Sequence, residues 1–422
     1  MFTQNRYEVI VTGCKEVGGG IYVITMNLNQ YNVVKFLDGV DCRGISRYKD
    51  KYIVASGTHG VMVLDQEFTI LRKNGITGLD YHDVQLYNDL AYIMETARNA
   101  IGIYRIDDLE RIGEIKLNPK DHDVIHSNDF YIEGNQLFVS MFTTTGEWRK
   151  NGSPYTGAIV EYSLDTGEVV RVLHGGLNKP HNVVFHKGDL YSCNSMEFQV
   201  RRNGETIYQC QGFTRGLAMD DHLMFIGQSS SRHIKLSAQG KTNVSMDCGL
   251  HVFQYRTGMC RFIPLPSQEI YGVLIHDVEY EQCDRLVFGS EEADGHLVSG
   301  FYQIEQNSEE TWRWSEGEES KLLLPLKKLT AHRLLLTVAP LQYGDLKQTI
   351  EVLVNDQPAG TVELTDQNAK TYELIVPADL VRNRNEVAFR YGYHKKPSEI
   401  YGSDDQRDLA VRFVELSFEP LL

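Results

Sequence analysis

Three histidines stand at the start of similar stretches of sequence, about a hundred residues apart. The stretches read HDVQLYNDLAYIME from His82, HNVVFHKGDLYSCN from His181 and HDVEYEQCDRLVFG from His276. Imidazole nitrogens bind divalent transition metals, and a site with three such ligands keeps a coordination position for water or substrate. If the fold brings the three side chains together, they form a site for Zn, Mn or Fe.

Three more stretches have the same shape but begin with another residue: RGISRYKDKYIVAS from Arg43, NDFYIEGNQLFVSM from Asn128 and RGLAMDDHLMFIGQ from Arg215. Each contains two short runs rich in apolar residues, with little helical periodicity. Repetition of such strand pairs is typical of a β-propeller, in which each repeat forms one four-stranded blade. The sequence therefore predicts an all-β protein whose first domain, residues 1–305, is a six-bladed β-propeller.

The two ends of this domain are expected to meet. The runs YEVIVTG, GIYVITM and NVVKFLDG near the N-terminus have the pattern of outer strands that lack an innermost strand. We expect them to close the ring against the blade that contains His276. The runs RLVFGS and SGFYQIE offer that last unit second and third strands of its own, so a seventh, incomplete blade stays open.

The first residue of each repeat is expected at the mouth of the axial channel, because the innermost strand of a propeller blade runs beside the axis. We call these six the head residues, and in chain order they are Arg43, His82, Asn128, His181, Arg215 and His276. Histidine falls on alternate blades, which gives the three imidazoles threefold spacing. His82, His181 and His276 are therefore the predicted metal ligands.

Neighbouring residues are predicted to complete this site. Asp83, Asn182 and Asp277 follow the three histidines and are expected to bind the second nitrogen of each imidazole. Arg43 and Arg215 suit a carboxylate or phosphate in the same mouth and are predicted to act in catalysis.

Two other interpretations of the channel mouth stay open. It is either a metal-free site for an anion or a sugar, or a polar lining that binds only water and strand ends. His126, two residues before Asn128, is a candidate further ligand or an ordinary loop residue.

The second strands end on the same face as the head residues, so polar residues there are candidates for the site. Glu95 is predicted to be a catalytic base. The predicted substrate-binding residues are Asn128, Arg98, Asn194, Ser195, Ser231 and Arg232. The insertion at residues 143–157 is a candidate lid that carries Trp148 and Tyr155.

Composition excludes several classes of partner. A net charge of −15 argues against nucleic acid or an anionic membrane, whose binders display basic faces. The sequence has neither an apolar run of the roughly eighteen residues that a membrane helix needs nor a secretory signal pattern, which favours the cytoplasm. Seven cysteines without a C-x-x-C pair predict reduced, mostly buried thiols.

Two segments carry a family resemblance. FTRGLAMDDHLMFIGQSSSR and NKPHNVVFHKGDLYSCNS resemble an uncharacterised bacterial propeller family, a domain of unknown function related to NHL-repeat propellers. A more distant likeness is to the peptidyl-hydroxyglycine amidating lyase, a six-bladed propeller with zinc on three axial histidines and an arginine for the substrate carboxylate. That likeness implies ligand roles for His82, His181 and His276, and an anion clamp at Arg43 or Arg215. This chain lacks the lyase's secretory context and disulfides, so the substrate is not transferred.

The sequence changes character after the propeller. Residues 306–320, QNSEETWRWSEGEES, are predicted to be a polar linker, and residues 321–422 a separately folding β-sandwich. VNDQPAGTVELTD and YELIVPADLVRNRNEVAFRY resemble the jelly-roll, carbohydrate-module-like domain attached to bacterial glycosyltransferases and polysaccharide-biosynthesis proteins. The resemblance implies glycan metabolism. Asp404, Asp405 and Arg407 either contact a ligand or form internal ion pairs.

The sequence favours a metal-dependent lyase or hydrolase that acts on an anionic small molecule or glycan precursor. The alternative is a non-catalytic scaffold that binds a glycan, a second copy of the chain or a protein of a polysaccharide-assembly system.

Overall fold

The computed structural model describes residues 5–14, 17–27, 30–150, 154–230, 240–241, 243–255, 257–280 and 282–421. Strands account for 57% of the residues and helices for 5%, so the predicted all-β class is confirmed. The chain divides into two compact units, one formed by Arg6–Val278 and one formed mainly by Glu279–Leu422. Among the described residues, none of the helices is long and apolar enough to span a membrane.

The described part of the first unit contains six four-stranded sheets. Sheet 1 begins with β1 (Arg6–Gly13), β2 (Gly20–Met26) and β3 (Tyr31–Phe36). Sheet 2 contains β4 (Ile45–Tyr48), β5 (Lys51–Ser56), β6 (Gly60–Leu64) and β7 (Ile70–Lys73). Sheet 3 contains β8 (Tyr81–Tyr87), β9 (Leu90–Glu95), β10 (Ala100–Arg105) and β11 (Arg111–Lys116), and sheet 4 contains β12 (Ser127–Glu133), β13 (Gln136–Met141), β14 (Gly157–Ser163) and β15 (Val169–Leu177).

The last two sheets follow the same pattern. Sheet 5 contains β16 (Pro180–His186), β17 (Asp189–Asn194), β18 (Gln199–Arg202) and β19 (Glu205–Gln209), and sheet 6 contains β20 (Phe213–Met219), β21 (Leu223–Ser229), β22 (Gly249–Gln254) and β23 (Cys260–Pro264). Short 3-10 turns at Thr96–Arg98 and Ser195–Glu197 follow the second strands of sheets 3 and 5. Sheets 2 to 6 are each a meander of four consecutive strands, as the repeats predict.

Sheet 1 is completed from the far end of the unit. Strand β24 (Ile270–Glu279), which contains His276, lies beside β1 at the edge of that sheet. The predicted closure between the N-terminal strands and the last unit is therefore confirmed. The strand following in sequence, β25 (Arg285–Val287), is part of the second unit, so the run that left a seventh blade open lies outside the first unit.

The predicted head residue of the last repeat is wrong. Strand β24 starts six residues before His276, and the residue that takes the head position is Tyr271. Tyr271 precedes Gly272, just as Arg43 precedes Gly44 in the first repeat. A Cβ on Gly272 would lie 3.1 Å from the carbonyl oxygen of Arg43, so the close approach of neighbouring strands requires glycine after this head.

Polar side chains join the innermost strands to one another just below the heads. The Oδ2 atom of Asp83 accepts a hydrogen bond from the Phe130 amide (3.2 Å), and Asn182 Oδ1 accepts one from the Gly216 amide (2.6 Å). Asp83 and Asn182 were predicted to hold imidazoles, and they bind neighbouring strands instead. The third residue of that prediction, Asp277, accepts a hydrogen bond from the next amide, that of Val278.

Two carboxyl groups are buried together in this layer. Burial, with the charge of Asp129 as the second cause, raises the pKa of Asp83 well above its usual range. Burial also raises the pKa of Asp129 to about 6, although Arg215 acts in the opposite direction. Asp129 accepts a hydrogen bond from Asn182 on Oδ1, whereas its buried Oδ2 has no hydrogen-bond partner among the described residues. Asp129 thus keeps its proton up to a higher pH in the folded protein than in the unfolded chain.

This raised pKa predicts a pH-dependent effect of Asp129→Asn. The contribution of Asp129 to stability is fully present below its ordinary pKa of 3.8 and is lost as the pH rises through about 6. We expect the melting temperature of Asp129→Asn, relative to the unmodified protein, to rise between pH 4.5 and pH 8. The exposed Asp50→Asn is the control, and calorimetric melts that show the same pH dependence for both variants would contradict the prediction.

The second unit consists of two sheets. The strands are β25, β26 (Leu297–Ser299), β27 (Phe301–Gln306), β28 (Thr311–Glu316), β29 (Glu319–Pro325), β30 (His332–Pro340), β31 (Thr349–Val354), β32 (Gln357–Glu363), β33 (Lys370–Val376), β34 (Arg384–Tyr391) and β35 (Leu409–Pro420). One sheet has the order β27-β28-β35-β30-β33, with β25 also on β35, and the other has the order β26-β29-β34-β31-β32. The helix α1 (Pro397–Tyr401) and 3-10 turns at Glu292–Gly295 and Ala378–Leu380 complete the unit. Alternating apolar residues of both sheets, such as Leu324, Leu336, Val352, Phe389 and Phe413, form one core.

The boundary of this unit differs from the predicted one. Its strands begin before residue 305, and the predicted linker at 306–320 contains β28, which pairs with β35. The polar composition of the segment does not indicate a strand, because a charged residue such as Arg313 is normally expected at the surface. In the structure Arg313 is buried within the strand. Its guanidinium donates to the Phe288 carbonyl oxygen (2.8 Å) and to Asp294 (2.5 Å). Asp405 and Arg407 form an ion pair, which is the second of the two roles considered for them.

Fragment stability tests the boundary. We expect residues 279–422 to melt cooperatively, because this fragment retains both complete sheets. Residues 321–422 lack β25 to β28, which leaves one side of β35 unpaired and its apolar residues exposed. That shorter fragment is expected to be less stable or unfolded in circular dichroism melts. Equal stability of the two fragments would contradict the assignment of residues 285–316 to this unit.

Candidate functional site

The head residues of the first unit surround a cavity of about 320 Å³. Five heads line it, namely Arg43, His82, His181, Arg215 and Tyr271. The residues two positions before the heads form a second layer, which we call the rim residues: Asp41, Asp80, His126, Lys179, Phe213 and Glu269. All rim residues except Asp41 also line the cavity, together with Phe142, Trp148, Arg149, Met196, Ser229 and Ser230.

Three rim residues direct their backbone carbonyls at the side chains of the heads. Asp80, His126 and Lys179 have left-handed backbone conformations, with φ values of 50°, 48° and 51°. The carbonyl oxygen of Asp80 accepts a hydrogen bond from His82 Nδ1 (2.9 Å), and that of Lys179 accepts one from His181 Nδ1 (3.1 Å). These bonds fix both imidazole rings, at a cost in backbone strain on the rim.

The same bonds define the tautomers of His82 and His181. A carbonyl oxygen can only accept, so Nδ1 carries the proton in each ring. Thr96 Oγ1 lies 2.7 Å from His82 Nδ1 and donates its own proton to the Ser127 carbonyl, and Ser195 Oγ lies 2.8 Å from His181 Nδ1. The Nε2 atom of each ring therefore keeps a lone pair, and it has no hydrogen-bond partner among the described residues.

Both rings are neutral hydrogen-bond acceptors. Burial lowers the pKa of His82 well below its ordinary value, and the positive charges of Arg43 and Arg215 lower it further. The pKa of His181 is lowered well below its ordinary value by burial and by Arg215. The cavity thus presents two Nε2 lone pairs to which a ligand hydroxyl can donate.

The two head arginines of the cavity differ in what they are free to bind. Arg43 Nη1 donates to Asp80 (2.6 Å) and to the Tyr81 carbonyl oxygen (2.8 Å), and its Nη2 lies 3.2 Å from Asp41. Its charge is balanced by two carboxylates, and most of its donors are occupied. Arg43 is therefore a structural part of the wall.

Arg215 is buried with most of its donors unfilled. Only 5% of the residue is exposed, its nearest carboxylate is Glu269 at 3.7 Å, and its Nε has no hydrogen-bond partner among the described residues. Its guanidinium carbon lies 3.4 Å from the centre of the Tyr271 ring, so the aromatic face holds it in place. Since buried polar groups are normally hydrogen-bonded, the geometry of Arg215 suits an anion in the cavity.

His126 has a different partner from the other two cavity histidines. Its Nδ1 donates to Asp123 Oδ2 (2.8 Å), which also accepts a hydrogen bond from Trp148 Nε1 (2.9 Å). The His126 ring packs against both Phe142 and Trp148, with centroids 4.4 and 4.3 Å away. Trp148 and Arg149 of the predicted lid therefore help to build the cavity, whereas the lid residue Tyr155 is exposed and donates to Glu197.

His276 is not in this cavity. Its Nδ1 lies 2.7 Å from Tyr52 Oη, and its Nε2 lies 3.5 Å from Glu8. The predicted triad of His82, His181 and His276 is therefore not assembled. Within the described ranges of the chain, no three His, Cys, Asp or Glu side chains are arranged to hold a metal ion. These residues do not fit the predicted ion, and we assign no chemistry to one.

Other predicted site residues have structural roles. Glu95 is fully buried, accepts two hydrogen bonds from Arg111 (both 2.9 Å) and one from Tyr104, and lies outside the cavity. Arg98 pairs with Glu114. Asn194 accepts a hydrogen bond from the Asn178 amide.

Of the remaining predicted substrate-binding residues, two are described by the structure and two lie outside the described residues. Ser195 is a partner of His181 rather than a ligand contact. Asn128 takes a head position but does not line the cavity, and its side chain donates to the His126 carbonyl oxygen (3.1 Å). Ser231 and Arg232 lie outside the described residues.

Sequence reasoning missed Tyr271, Lys179, Glu269 and Asp80. Two signals identify them in retrospect. The heads Arg43, Arg215 and Tyr271 share the pattern of a head followed by glycine and an apolar residue, and every rim residue lies two positions before a head. All seven cysteines are free thiols and six are buried, which confirms that prediction.

The chain belongs to the family described as Domain of unknown function (DUF4915), whose model matches residues 40–279, more than half of the chain. The matched range runs from the rim and head residues of the first repeat to the end of β24, so it includes the whole head ring. Membership of a family of unknown function was predicted and is confirmed. No curated protein matches the chain.

Two solved structures share a distant likeness with the chain. A chain of a nidogen–laminin complex is 8% identical, with a TM-score of 0.47 over 65% of this chain and 99% of that chain. A protein of unknown function from Bacteroides caccae is 11% identical, with a TM-score of 0.44 over 64% of this chain and all of that chain. Neither likeness bears on function.

The contrast between the arginines predicts a stability difference. Replacing Arg43 by Met removes a mostly buried cation from its ion pairs with Asp41 and Asp80, which costs about 3–5 kcal/mol for a buried pair. The exposed Arg105→Met, which removes an ion pair with Asp108 and Glu110, is expected to cost less than about 1 kcal/mol. Calorimetry that finds similar melting temperatures for the two variants would show that Arg43 is not a structural part of the wall.

Proposed function

We propose that the first unit is a six-bladed β-propeller whose axial cavity binds a small hydroxylated carboxylate, a sugar acid in chemical class. The observation that carries the proposal is Arg215, a buried guanidinium with unfilled donors inside a cavity. A guanidinium fork matches the two oxygens of a carboxylate.

The rest of the lining favours a ligand with hydroxyl groups. His82 and His181 offer lone pairs at Nε2, which accept hydrogen bonds from hydroxyls but not from carboxylates. Phe142, Trp148 and Phe213 supply apolar faces for a ring. A cavity of about 320 Å³ is at the lower end of the range for small-molecule sites, which suits one sugar unit rather than a polymer.

The six sheets support the propeller, because each contributes the start of its innermost strand to one layer of heads and rim residues. The relation to NHL-repeat propellers and the jelly-roll form of the second unit are parts of this proposal. A cytoplasmic location is another part, and the free thiols agree with a reducing compartment.

Direct binding tests the proposal. Isothermal titration with D-glucuronate, D-galacturonate and D-gluconate is expected to show binding of at least one acid, in the presence of EDTA, with no binding of neutral D-glucose. A lysine at position 215 keeps the charge but loses the fork, a contact worth about 1.5–3 kcal/mol, so Arg215→Lys should weaken binding by roughly ten- to a hundredfold.

Arg202→Lys is the matched control, because this arginine is half exposed and lies outside the cavity lining. It should bind as the unmodified protein does. If none of the three acids binds, the carboxylate site is refuted and the scaffold alternative gains support. Binding that EDTA abolishes would refute the metal-free site.

A further inference from the structure

One of the cavity histidines, His126, has the hydrogen-bond partner expected of a general base. His82 and His181 donate from Nδ1 to neutral oxygens, whereas His126 donates from Nδ1 to the carboxylate of Asp123. A carboxylate on Nδ1 stabilises the imidazolium that forms when Nε2 takes a proton. His126 Nε2 has no hydrogen-bond partner among the described residues, so it is available to a ligand.

The position of His126 is fixed from several sides. Its backbone is left-handed, its ring packs against both Phe142 and Trp148, and the amide of His126 also donates to Asp123 (3.1 Å). Trp148 binds the same carboxylate, which keeps Asp123 oriented. Such a partner shell holds a reacting group in one geometry, as proton transfer requires.

A proton donor faces the same cavity. Tyr271 Oη has no hydrogen-bond partner within the described part of the chain, and the residue lines the cavity. Burial raises the pKa of Tyr271, so the phenol keeps its proton at neutral pH. The guanidinium of Arg215 over its ring stabilises the phenolate that forms when the proton leaves.

The lining offers little other chemistry. Ser229 Oγ is bonded to the carbonyl oxygen and amide of Ile270, and Ser230 Oγ donates to the Met246 carbonyl oxygen. Neither serine is paired with a histidine in the described structure, and no cysteine lines the cavity. Neither serine is therefore set up as a nucleophile, which leaves the histidines, Tyr271, the arginines and the charged residues Asp80, Lys179 and Glu269 as the reactive groups of the lining.

We propose, resting on the sugar-acid site above, that His126 and Tyr271 form an acid–base pair that interconverts the anomers of a cyclic uronic acid held on Arg215. His126 Nε2 takes the proton of the anomeric hydroxyl while the bond between C1 and the ring oxygen breaks. The hydroxyl oxygen becomes the carbonyl oxygen of the open sugar, and the ring oxygen takes the proton of Tyr271. Rotation about C1–C2 and the reverse transfers close the ring on the other face, so the reaction needs no further reactant.

Exchange spectroscopy on D-glucuronate and D-galacturonate tests this pair in the full chain. The anomeric proton signals report the rate of interconversion, and isothermal titration on the same samples reports binding. We expect the protein to raise the exchange rate of a bound uronate at least tenfold over buffer. His126→Asn and Tyr271→Phe should abolish the increase while binding persists.

Asp123 acts through His126, so it is a positioning residue. Asp123→Asn should reduce exchange at least tenfold, and Asp123→Glu should restore part of it, which a purely structural role would not produce. The matched control is His122→Asn, because His122 is exposed, lies outside the cavity lining and belongs to the same segment. It should exchange at the unmodified rate.

The outcomes separate the two proposals. A uronate that binds without faster exchange overturns the acid–base pair and leaves the binding site intact. Faster exchange that survives His126→Asn or Tyr271→Phe also overturns the pair. Failure of both uronates and of gluconate to bind overturns the site itself.

Discussion

A guanidinium buried without a full set of hydrogen bonds is costly, and Arg215 imposes this constraint on the whole cavity. Its charge helps to keep His82 and His181 neutral by lowering their pKa. It opposes the rise in the pKa of Asp129 in the layer below. It also rests on the face of Tyr271. The chemistry available to a ligand therefore depends on this one charge.

The residues around Arg215 are positioned by a backbone arrangement that recurs from repeat to repeat. Five of the six head residues and five of the six rim residues line one cavity, so each repeat contributes at least one residue to it. The left-handed rim positions add carbonyl oxygens that hold His82, Asn128 and His181 by their side chains. Because the backbone performs this task, the side chains of the rim are free to vary. In sheet 4 the rim position carries His126.

Much of the first unit was predictable from the sequence. The strand pairs, their order and the closure by the N-terminal strands follow from the repeats, and four of the six predicted heads line the cavity. His276 shows where a repeat misleads. The tripeptide HDV occurs at His82 and His276, but pairing of the long strand β24 with β1 places Tyr271 at the head and His276 beside Tyr52. Register is decided by the whole strand, which no local motif reports.

The charge balance of the site was harder to predict, for a physical reason. Whether an arginine is free or neutralised depends on partners distant in sequence, such as Asp80 for Arg43 and Glu269 for Arg215. Glu95 was predicted to be a catalytic base for the same reason, because its pairing with Arg111 is not visible in the sequence. Charge balance in a cavity is a property of the assembled sheets.

A crystal structure with bound D-glucuronate or D-galacturonate measures the central claim most directly. The account predicts the carboxylate within about 3 Å of the Arg215 guanidinium, the distance of a charge-assisted hydrogen bond, with ligand hydroxyls on the Nε2 atoms of His82 and His181. A ligand whose carboxylate lies on Lys179 and Arg149 alone, or that binds outside the cavity, would contradict it.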